Sequence, residues 1–135
     1  MAELNIRGQI TFLYFDDLAG ACRFFEKTLG LPLAVDQGWT KIYRSAPTSY
    51  LGAVDRSRGA CPATARDGVL TSLVVTDFDE MARRLGAEGI RFVSGPALIE
   101  SLQIKSMMFF GPEGYKFEVE EFLAPETRKL VYGEE

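Results

Sequence analysis

The chain has 135 residues, a net charge of -4 and 47% hydrophobic residues, which predicts one domain with enough apolar mass for its own core. Its Lys and Arg residues are scattered, so the sequence indicates no nucleic-acid partner and no membrane partner. It contains no histidine, which excludes His-containing zinc sites and the Ser/His/Asp and Cys/His catalytic arrangements.

Cysteine usage and hydropathy indicate a cytoplasmic protein. Cys22 and Cys61 have neither the spacing of metal ligands nor that of a C-x-x-C pair, so we expect reduced thiols. Residues 1–8 lack the apolar core of a signal peptide, and no run approaches the ~18 apolar residues of a membrane span.

The first half of the chain predicts the order strand, helix and three strands. The apolar run 10–15 predicts a buried strand, and Asp17 after it predicts the N-cap of a helix over 18–28 that Gly30 ends. Short strands are predicted over 31–35, 39–44 and 50–54, with turns at 37–38 and 46–49.

The second half repeats this order about sixty residues later. A strand over 70–76 leads to Asp77, which predicts the cap of a helix over 78–87 that Gly89 closes. Three further strands are predicted over 90–93, 104–110 and 115–122, with turns at Gly95–Pro96 and 112–114.

Single positions support this internal repeat. Asp17 corresponds to Asp77 and, at one constant offset, Trp39 corresponds to Ile104, Pro47 to Pro112 and Tyr50 to Tyr115. Two copies of a βαβββ unit in an α+β fold are the simplest interpretation. The predicted parts are module one over 8–55, a solvent-exposed connector over 56–68, module two over 69–122, and a tail over 123–135 that packs on the body or on a partner subunit.

Three phrases, in this order, resemble the glyoxalase, bleomycin-resistance and extradiol-dioxygenase superfamily over about residues 8–122. They are Phe15-Asp16-Asp17-Leu18, then Phe24-Phe25 with Leu29-Gly30-Leu31, then Gly111-Pro112-Glu113-Gly114-Tyr115-Lys116-Phe117-Glu118. The resemblance implies that the eight strands of two modules form a cup-shaped mixed sheet, with helices outside and a small-molecule ligand inside. We also expect a homodimer, because the open sheet edges of this architecture need covering.

Metal-dependent members of that superfamily carry one ligand on the first strand and one on the last strand of each module. In this chain the four positions correspond to Ile10, Ala53, Leu70 and Glu118. A register slip of one residue would bring in only Gln9 and Thr71. One carboxylate falls short of the three or four ligands of a catalytic divalent ion, so we predict no metal and no cofactor.

Strand parity predicts which side chains line the cup, because residues two apart in a strand share a face. We expect Trp39 to contact either the ligand or a second subunit, and Tyr14 and Tyr43 to be pocket walls or ordinary sheet tyrosines. The predicted ligand-binding residues are Phe12, Tyr14, Trp39, Lys41, Tyr43, Ile104, Ser106, Met108 and Glu118, with Lys116 and Glu120 nearer the rims.

Glu118 is the one candidate catalytic residue. Desolvation in an apolar site would raise the pKa of its carboxyl group, so that it orients a cationic or hydrogen-bond-donating ligand or acts as a general base. In the alternative interpretation Glu118 only forms a salt bridge with Lys41 or Lys116.

The sequence therefore favours a metal-independent binding protein that sequesters an aromatic or amphipathic ligand in an apolar cup. One alternative is an enzyme of the lyase, isomerase or extradiol-dioxygenase type, either metal-dependent or using Glu118 as base. Another is a degenerate scaffold with a filled interior.

Overall fold

The computed structural model describes residue 6, residues 8–60 and residues 69–133. These residues form two four-stranded mixed sheets with three α-helices, which confirms the predicted α+β class and its two βαβββ modules. The chain divides into two compact units between Thr64 and Ala65, and the joining of their sheets into one cup stays a prediction. None of the helices in the described ranges has the length and apolar character needed to cross a membrane. Cys61 and the part of the predicted connector over 61–68 lie outside the described residues.

Both modules have the same order of elements and the same sheet order. Module one contains β1 (Gln9–Phe15), α1 (Leu18–Arg23), a π-helical turn (Phe24–Thr28), β2 (Leu33–Asp36), β3 (Thr40–Ala46) and β4 (Ser49–Asp55). Module two contains β5 (Leu70–Val74), α2 (Phe78–Ala87), β6 (Arg91–Ile99), β7 (Ile104–Phe110), a 3-10 turn (Pro112–Gly114), β8 (Lys116–Phe122) and α3 (Pro125–Tyr132). The sheet orders are β1-β4-β3-β2 and β5-β8-β7-β6, and in each the first pair is parallel and the other two are antiparallel.

The first helix of each module begins and ends as the sequence predicts. The Asp17 carboxylate accepts a hydrogen bond from the backbone N–H of Gly20 at 3.0 Å, and the Asp77 carboxylate accepts one from Glu80 at 3.3 Å. Each bond satisfies a backbone donor that has no partner inside its helix. Gly30 and Gly89 then take left-handed backbone conformations with φ of 69° and 73°.

Each module has an apolar core that is built on the helix-facing side of its sheet. In module one the Phe25 ring stacks on Tyr43 at 5.3 Å between centroids and meets Phe15 edge-on at 6.1 Å. In module two Phe109 and Phe117 stack at 5.8 Å, and both are fully buried. Burial of such side chains contributes about 1.5–3 kcal/mol each. Alternate side chains point away from these cores, and we call the side they form the open face of each sheet.

Strand β6 is longer than predicted, because it runs through Gly95–Pro96, where the sequence predicts a turn. β6 lies at the edge of its sheet, and its register with β7 shifts between Phe92 and Ser94 and again between Ser94 and Ala97. An irregular edge strand accommodates a proline, since the missing N–H interrupts no internal ladder. The predicted turn is therefore wrong.

The tail forms helix α3, which is anchored to module two. The Tyr132 hydroxyl donates to the Val75 carbonyl at 2.6 Å and accepts from the Phe122 backbone N–H at 3.1 Å. The Arg128 guanidinium donates to the Glu121 carboxylate at 3.1 Å and to the Phe122 carbonyl at 2.7 Å. These contacts attach the helix to the ends of β5 and β8.

We predict that Tyr132→Phe lowers the free energy of unfolding by about 1–2 kcal/mol. The substitution removes the hydroxyl group that hydrogen-bonds to two backbone groups, and it retains the aromatic ring. Urea denaturation measures this change. Leu130→Ala is the matched control on the same helix, since Leu130 is 88% exposed and its loss should change stability by less than ~0.5 kcal/mol. Wild-type stability in Tyr132→Phe would contradict the proposed anchoring.

Candidate functional site

The open face of module one contains a cleft of about 240 Å³. Parallel pairing of β1 with β4 puts Tyr14 beside Val54, and antiparallel pairing of β4 with β3 puts Val54 beside Thr40. Three of the predicted binding residues are brought together here, and all three are aromatic. The described residues that line the cleft are Phe12, Tyr14, Gln37, Trp39, Thr40, Val54 and Ala60.

The start of the predicted connector forms part of the wall of this cleft. Gly59 lies so close to Tyr14 that a β-carbon on Gly59 would collide with the ring, and Ala60 lines the cleft itself. The guanidinium of Arg58 lies over the Trp39 ring, 5.8 Å from its centroid. Sequence reasoning missed this role, because the segment has the composition of a linker and only the glycine indicates a close approach.

Lys41 and Tyr43 lie on the helix-facing side of the sheet, so the predicted face of these two residues is wrong. Tyr43 is fully buried and donates its hydroxyl to the Glu26 carboxylate at 2.6 Å. Burial, together with hydrogen bonds to Cys22 and Glu26, raises the pKa of Tyr43 and keeps the phenol protonated. Lys41 forms a salt bridge with Asp36 at 2.7 Å within module one.

The error in the predicted face arises at the turn between β2 and β3. Counting parity from Trp39 assumes that the strand already begins there, whereas β3 begins at Thr40 and Trp39 lies in the turn. Side chains do not alternate regularly in a turn, so the count is displaced by one residue. Thr40 and Ile42 occupy the open-face positions that parity assigned to Lys41 and Tyr43.

The open face of module two brings together the four residues that parity places there. Met108 on β7 lies opposite Glu118 on β8, and Ser106 lies opposite Glu120. The Ser106 side chain is buried and its hydroxyl donates to the Glu118 carboxylate at 3.0 Å. Ile104 is buried at the start of β7.

Glu118 and Glu120 form a carboxyl pair on this face. Burial, followed by the hydrogen bond and the negative charge of Glu118, raises the pKa of Glu120 to about 7. The raised pKa lets the Glu120 carboxyl group keep a proton closer to neutral pH, because burial and the neighbouring negative charge disfavour its ionised form. The hydrogen-bond partners of Glu118 in the described part of the chain are therefore Ser106 and Glu120, and its salt bridge with a lysine is not observed there.

The strand register corrects one of the four positions that correspond to metal ligands in the resembled superfamily. Glu118 pairs with Ser72 on β5, and the corresponding pair in module one is Gly52 with Phe12. The counterpart of Glu118 is therefore Gly52 and not Ala53, which is fully buried. A β-carbon on Gly52 would collide with the Phe12 ring, so this ring occupies the space of the missing side chain.

These residues do not fit a catalytic divalent metal. Ile10 and Leu70 present hydrocarbon, Gly52 presents no side chain, and Glu118 alone presents a carboxylate. Across residues 8–60 and 69–133, no three Cys, Asp or Glu side chains come together as a metal-binding group.

Module two has a second cleft of about 410 Å³ beside the start of α2. It is lined by residues 74–77, by Glu80, Met81 and Arg84 of α2, and by Tyr132 of α3. Both acidic side chains in its lining have structural partners, because Asp77 caps α2 and Glu80 pairs with Arg83. The first cleft, with its aromatic walls, is therefore the better candidate.

A model of the glyoxalase/bleomycin resistance protein/dioxygenase superfamily matches residues 8–119. A glyoxalase/bleomycin resistance protein/dioxygenase from Nocardioides has a TM-score of 0.71 and 23% identity, covering 93% of this chain and 87% of that chain. A glyoxalase/dioxygenase from Nostoc punctiforme has a TM-score of 0.72 and 16% identity, covering 90% and 95%. Lactoylglutathione lyase from Agrobacterium tumefaciens has a TM-score of 0.66 and 22% identity, covering 83% and 90%. At such identities these structures support the fold alone, and no curated protein matches the chain.

We predict that Glu120→Gln flattens the pH dependence of stability between about pH 4.5 and pH 7. The pKa of Glu120 is raised from an ordinary 4.5 to about 7 in the folded protein, so the folded state keeps a proton that the unfolded state loses. The free energy of unfolding therefore falls as pH rises through this window.

Thermal unfolding at several pH values between 4 and 8 measures this slope. Glu126→Gln, at the exposed start of α3, is the matched control and should keep the wild-type slope. If Glu120→Gln also kept it, Glu120 would not hold the proton in the folded state.

Proposed function

The chain belongs to the glyoxalase/bleomycin resistance protein/dioxygenase superfamily, and we propose that it binds a small aromatic or amphipathic molecule without a catalytic metal. The observation that carries this proposal is the cleft of about 240 Å³ with aromatic walls on the open face of module one. An apolar protein cavity of about 150 Å³ is large enough to bind benzene, and drug-sized ligands need about 300 Å³ or more. The volume therefore suits a molecule of one or two rings.

The exposure of the aromatic walls supports the same proposal. Phe12 is 43% exposed and Trp39 is 39% exposed, although both flank a well-packed sheet. Large apolar side chains that stay accessible beside a concave surface are typical of binding sites. A flat ligand would cover them and add aromatic contacts worth about 0.5–1.5 kcal/mol per ring pair.

The residues at the metal-ligand positions support binding without a metal. Hydrocarbon at Ile10 and Leu70 and the missing side chain at Gly52 leave only Glu118 as a possible ligand. A protein with this surface sequesters its ligand through apolar burial and ring contacts. The metal-dependent chemistry of the superfamily needs side chains that these positions lack.

The first test uses the indole signal of Trp39, because this residue is the only tryptophan and gives one indole N–H resonance. We predict that naphthalene shifts this resonance in spectra of ¹⁵N-labelled protein. Phe12→Ala should weaken naphthalene binding roughly 2- to 12-fold, since it removes one ring contact.

The matched control is Phe92→Ala, which removes a similarly exposed ring from β6 in module two and should leave the affinity unchanged. Addition of Mn²⁺ or Zn²⁺ should change neither the affinity nor the melting temperature. The proposed function would be contradicted by saturable binding of a divalent ion, or by an indole N–H resonance that does not shift when naphthalene is added.

A second candidate function, a metal-free enzyme, is favoured by the carboxyl pair of module two. The pKa of Glu120 is raised to about 7, partly by its hydrogen bond with Glu118, and Glu118 accepts a second hydrogen bond from Ser106. A carboxylate whose proton affinity matches the working pH is suited to general-base catalysis. The proton would pass to this pair from a carbon acid that is bound on the open face of module two.

Proton exchange tests this second candidate. An aryl methyl ketone such as acetophenone, incubated with the protein in D₂O, should exchange its methyl protons faster than in buffer, and Glu118→Gln should remove the acceleration. Exchange at the buffer rate with the wild-type protein would exclude base catalysis on this class of carbon acid and would leave the binding function intact.

A further inference from the structure

The Thr40 hydroxyl is a buried polar group in the wall of an otherwise largely apolar cleft. The residue is only 3% exposed, and its side chain lines the cleft beside Val54 and Trp39. Its backbone carbonyl accepts from the Gln37 N–H at 2.8 Å, and no hydrogen bond of its hydroxyl is found among the described residues. A buried hydroxyl without a partner destabilises a protein by about 1–3 kcal/mol, so such groups are uncommon without a role.

In module two, the position that corresponds to Thr40 has a hydroxyl group with a hydrogen-bond partner. Ser106 corresponds to Thr40 by strand register, since Ser106 lies opposite Glu120 and Thr40 lies opposite Val54. The Ser106 hydroxyl donates to Glu118 at 3.0 Å. The counterpart of Glu118 in module one is a glycine, so Thr40 lacks the acceptor that its counterpart has.

The absence of charged side chains among the described residues that line the cleft limits the charge that a ligand can carry. None of the described residues that line it carries a charge, and the guanidinium of Arg58 lies over Trp39 outside the lining. Burial of an unpaired charge in such a place is costly, whereas a neutral oxygen needs only one hydrogen bond. The cleft is therefore suited to an uncharged ligand.

We propose that the cleft of module one selects an uncharged aromatic compound of one or two rings that carries a carbonyl or hydroxyl oxygen, and that the Thr40 hydroxyl donates to this oxygen. This proposal rests on the proposed binding function and adds a specificity-determining residue to it. The rings lie against Phe12 and Trp39, and the oxygen lies within hydrogen-bond reach of the Thr40 hydroxyl.

The test compares three one-ring probes of similar size in titrations that follow the Trp39 indole signal. Acetophenone is neutral with a carbonyl oxygen, ethylbenzene lacks the oxygen, and benzoate is an anion. In the wild-type protein benzoate should bind most weakly. Thr40→Val should reduce the preference for acetophenone over ethylbenzene about 3- to 10-fold, and Thr40→Ser should retain it.

The outcomes separate this inference from the proposed function. If ethylbenzene and acetophenone bind but Thr40→Val leaves their affinity ratio unchanged, the role of Thr40 is wrong and the binding function stands. Tighter binding of benzoate than of acetophenone would overturn the inference that the ligand is uncharged. If none of the three probes binds, this inference is overturned, and the naphthalene titration decides separately whether the proposed function stands.

Unfolding of the ligand-free protein gives a second readout. Thr40→Val should raise the melting temperature by roughly 2–8 °C, because it replaces an unsatisfied hydroxyl with a methyl group of the same shape. Ser106→Ala, the counterpart in module two, should lower it, because it removes a satisfied donor of Glu118. A lower melting temperature in Thr40→Val would show that the hydroxyl already has a partner in the free protein, which contradicts the inference.

Discussion

The alternation of side chains across each sheet is the constraint on which the site depends. Along β1, Leu13 and Phe15 are buried on the side of the helix, whereas Phe12 keeps 43% of its surface exposed on the other side. Because the helix of each module covers only one face, every second side chain is available for another purpose. The core fixes the register, and the register decides which residues form the open face.

The two modules use this open face for different chemistry. In module one the pair of positions on β3 and β4 contains Thr40 and Gly52, and the Phe12 ring covers the glycine. In module two the same positions contain Ser106 and Glu118, which are hydrogen-bonded to each other, and Glu118 also hydrogen-bonds to Glu120, whose pKa is raised. On this face module one therefore presents an apolar cleft, and module two presents a polar pair of carboxyl groups.

Much of the fold could be predicted from short-range signals in the sequence. The caps at Asp17 and Asp77, and the strand bounds over 104–110, follow from local preferences that the structure confirms. The face of Lys41 and Tyr43 could not be predicted reliably, because parity is lost where a strand start is displaced by one residue. Helix α3 in the tail was also not predicted. Pro125 and Gly133 are typical helix boundary residues, but the segment between them has few apolar residues to indicate a helix.

The site was only partly predictable, for reasons that lie in tertiary contacts. Phe12, Tyr14 and Trp39 come together as their residue types indicate, but the contribution of Gly59 and Ala60 depends on how the chain folds back after β4. The raised pKa of Glu120 depends on burial and on the neighbouring carboxyl group, and neither is visible in an alternating strand pattern.

In the proposed function, the apolar cleft of module one is the place where this protein holds an aromatic molecule. Isotope-filtered NOE spectroscopy of ¹³C-labelled protein with unlabelled naphthalene tests it most directly. The account predicts contacts from naphthalene protons to the Val54 methyl groups and the Phe12 ring. Contacts only to Val74 and Met81, which line the second cleft in module two, would contradict it.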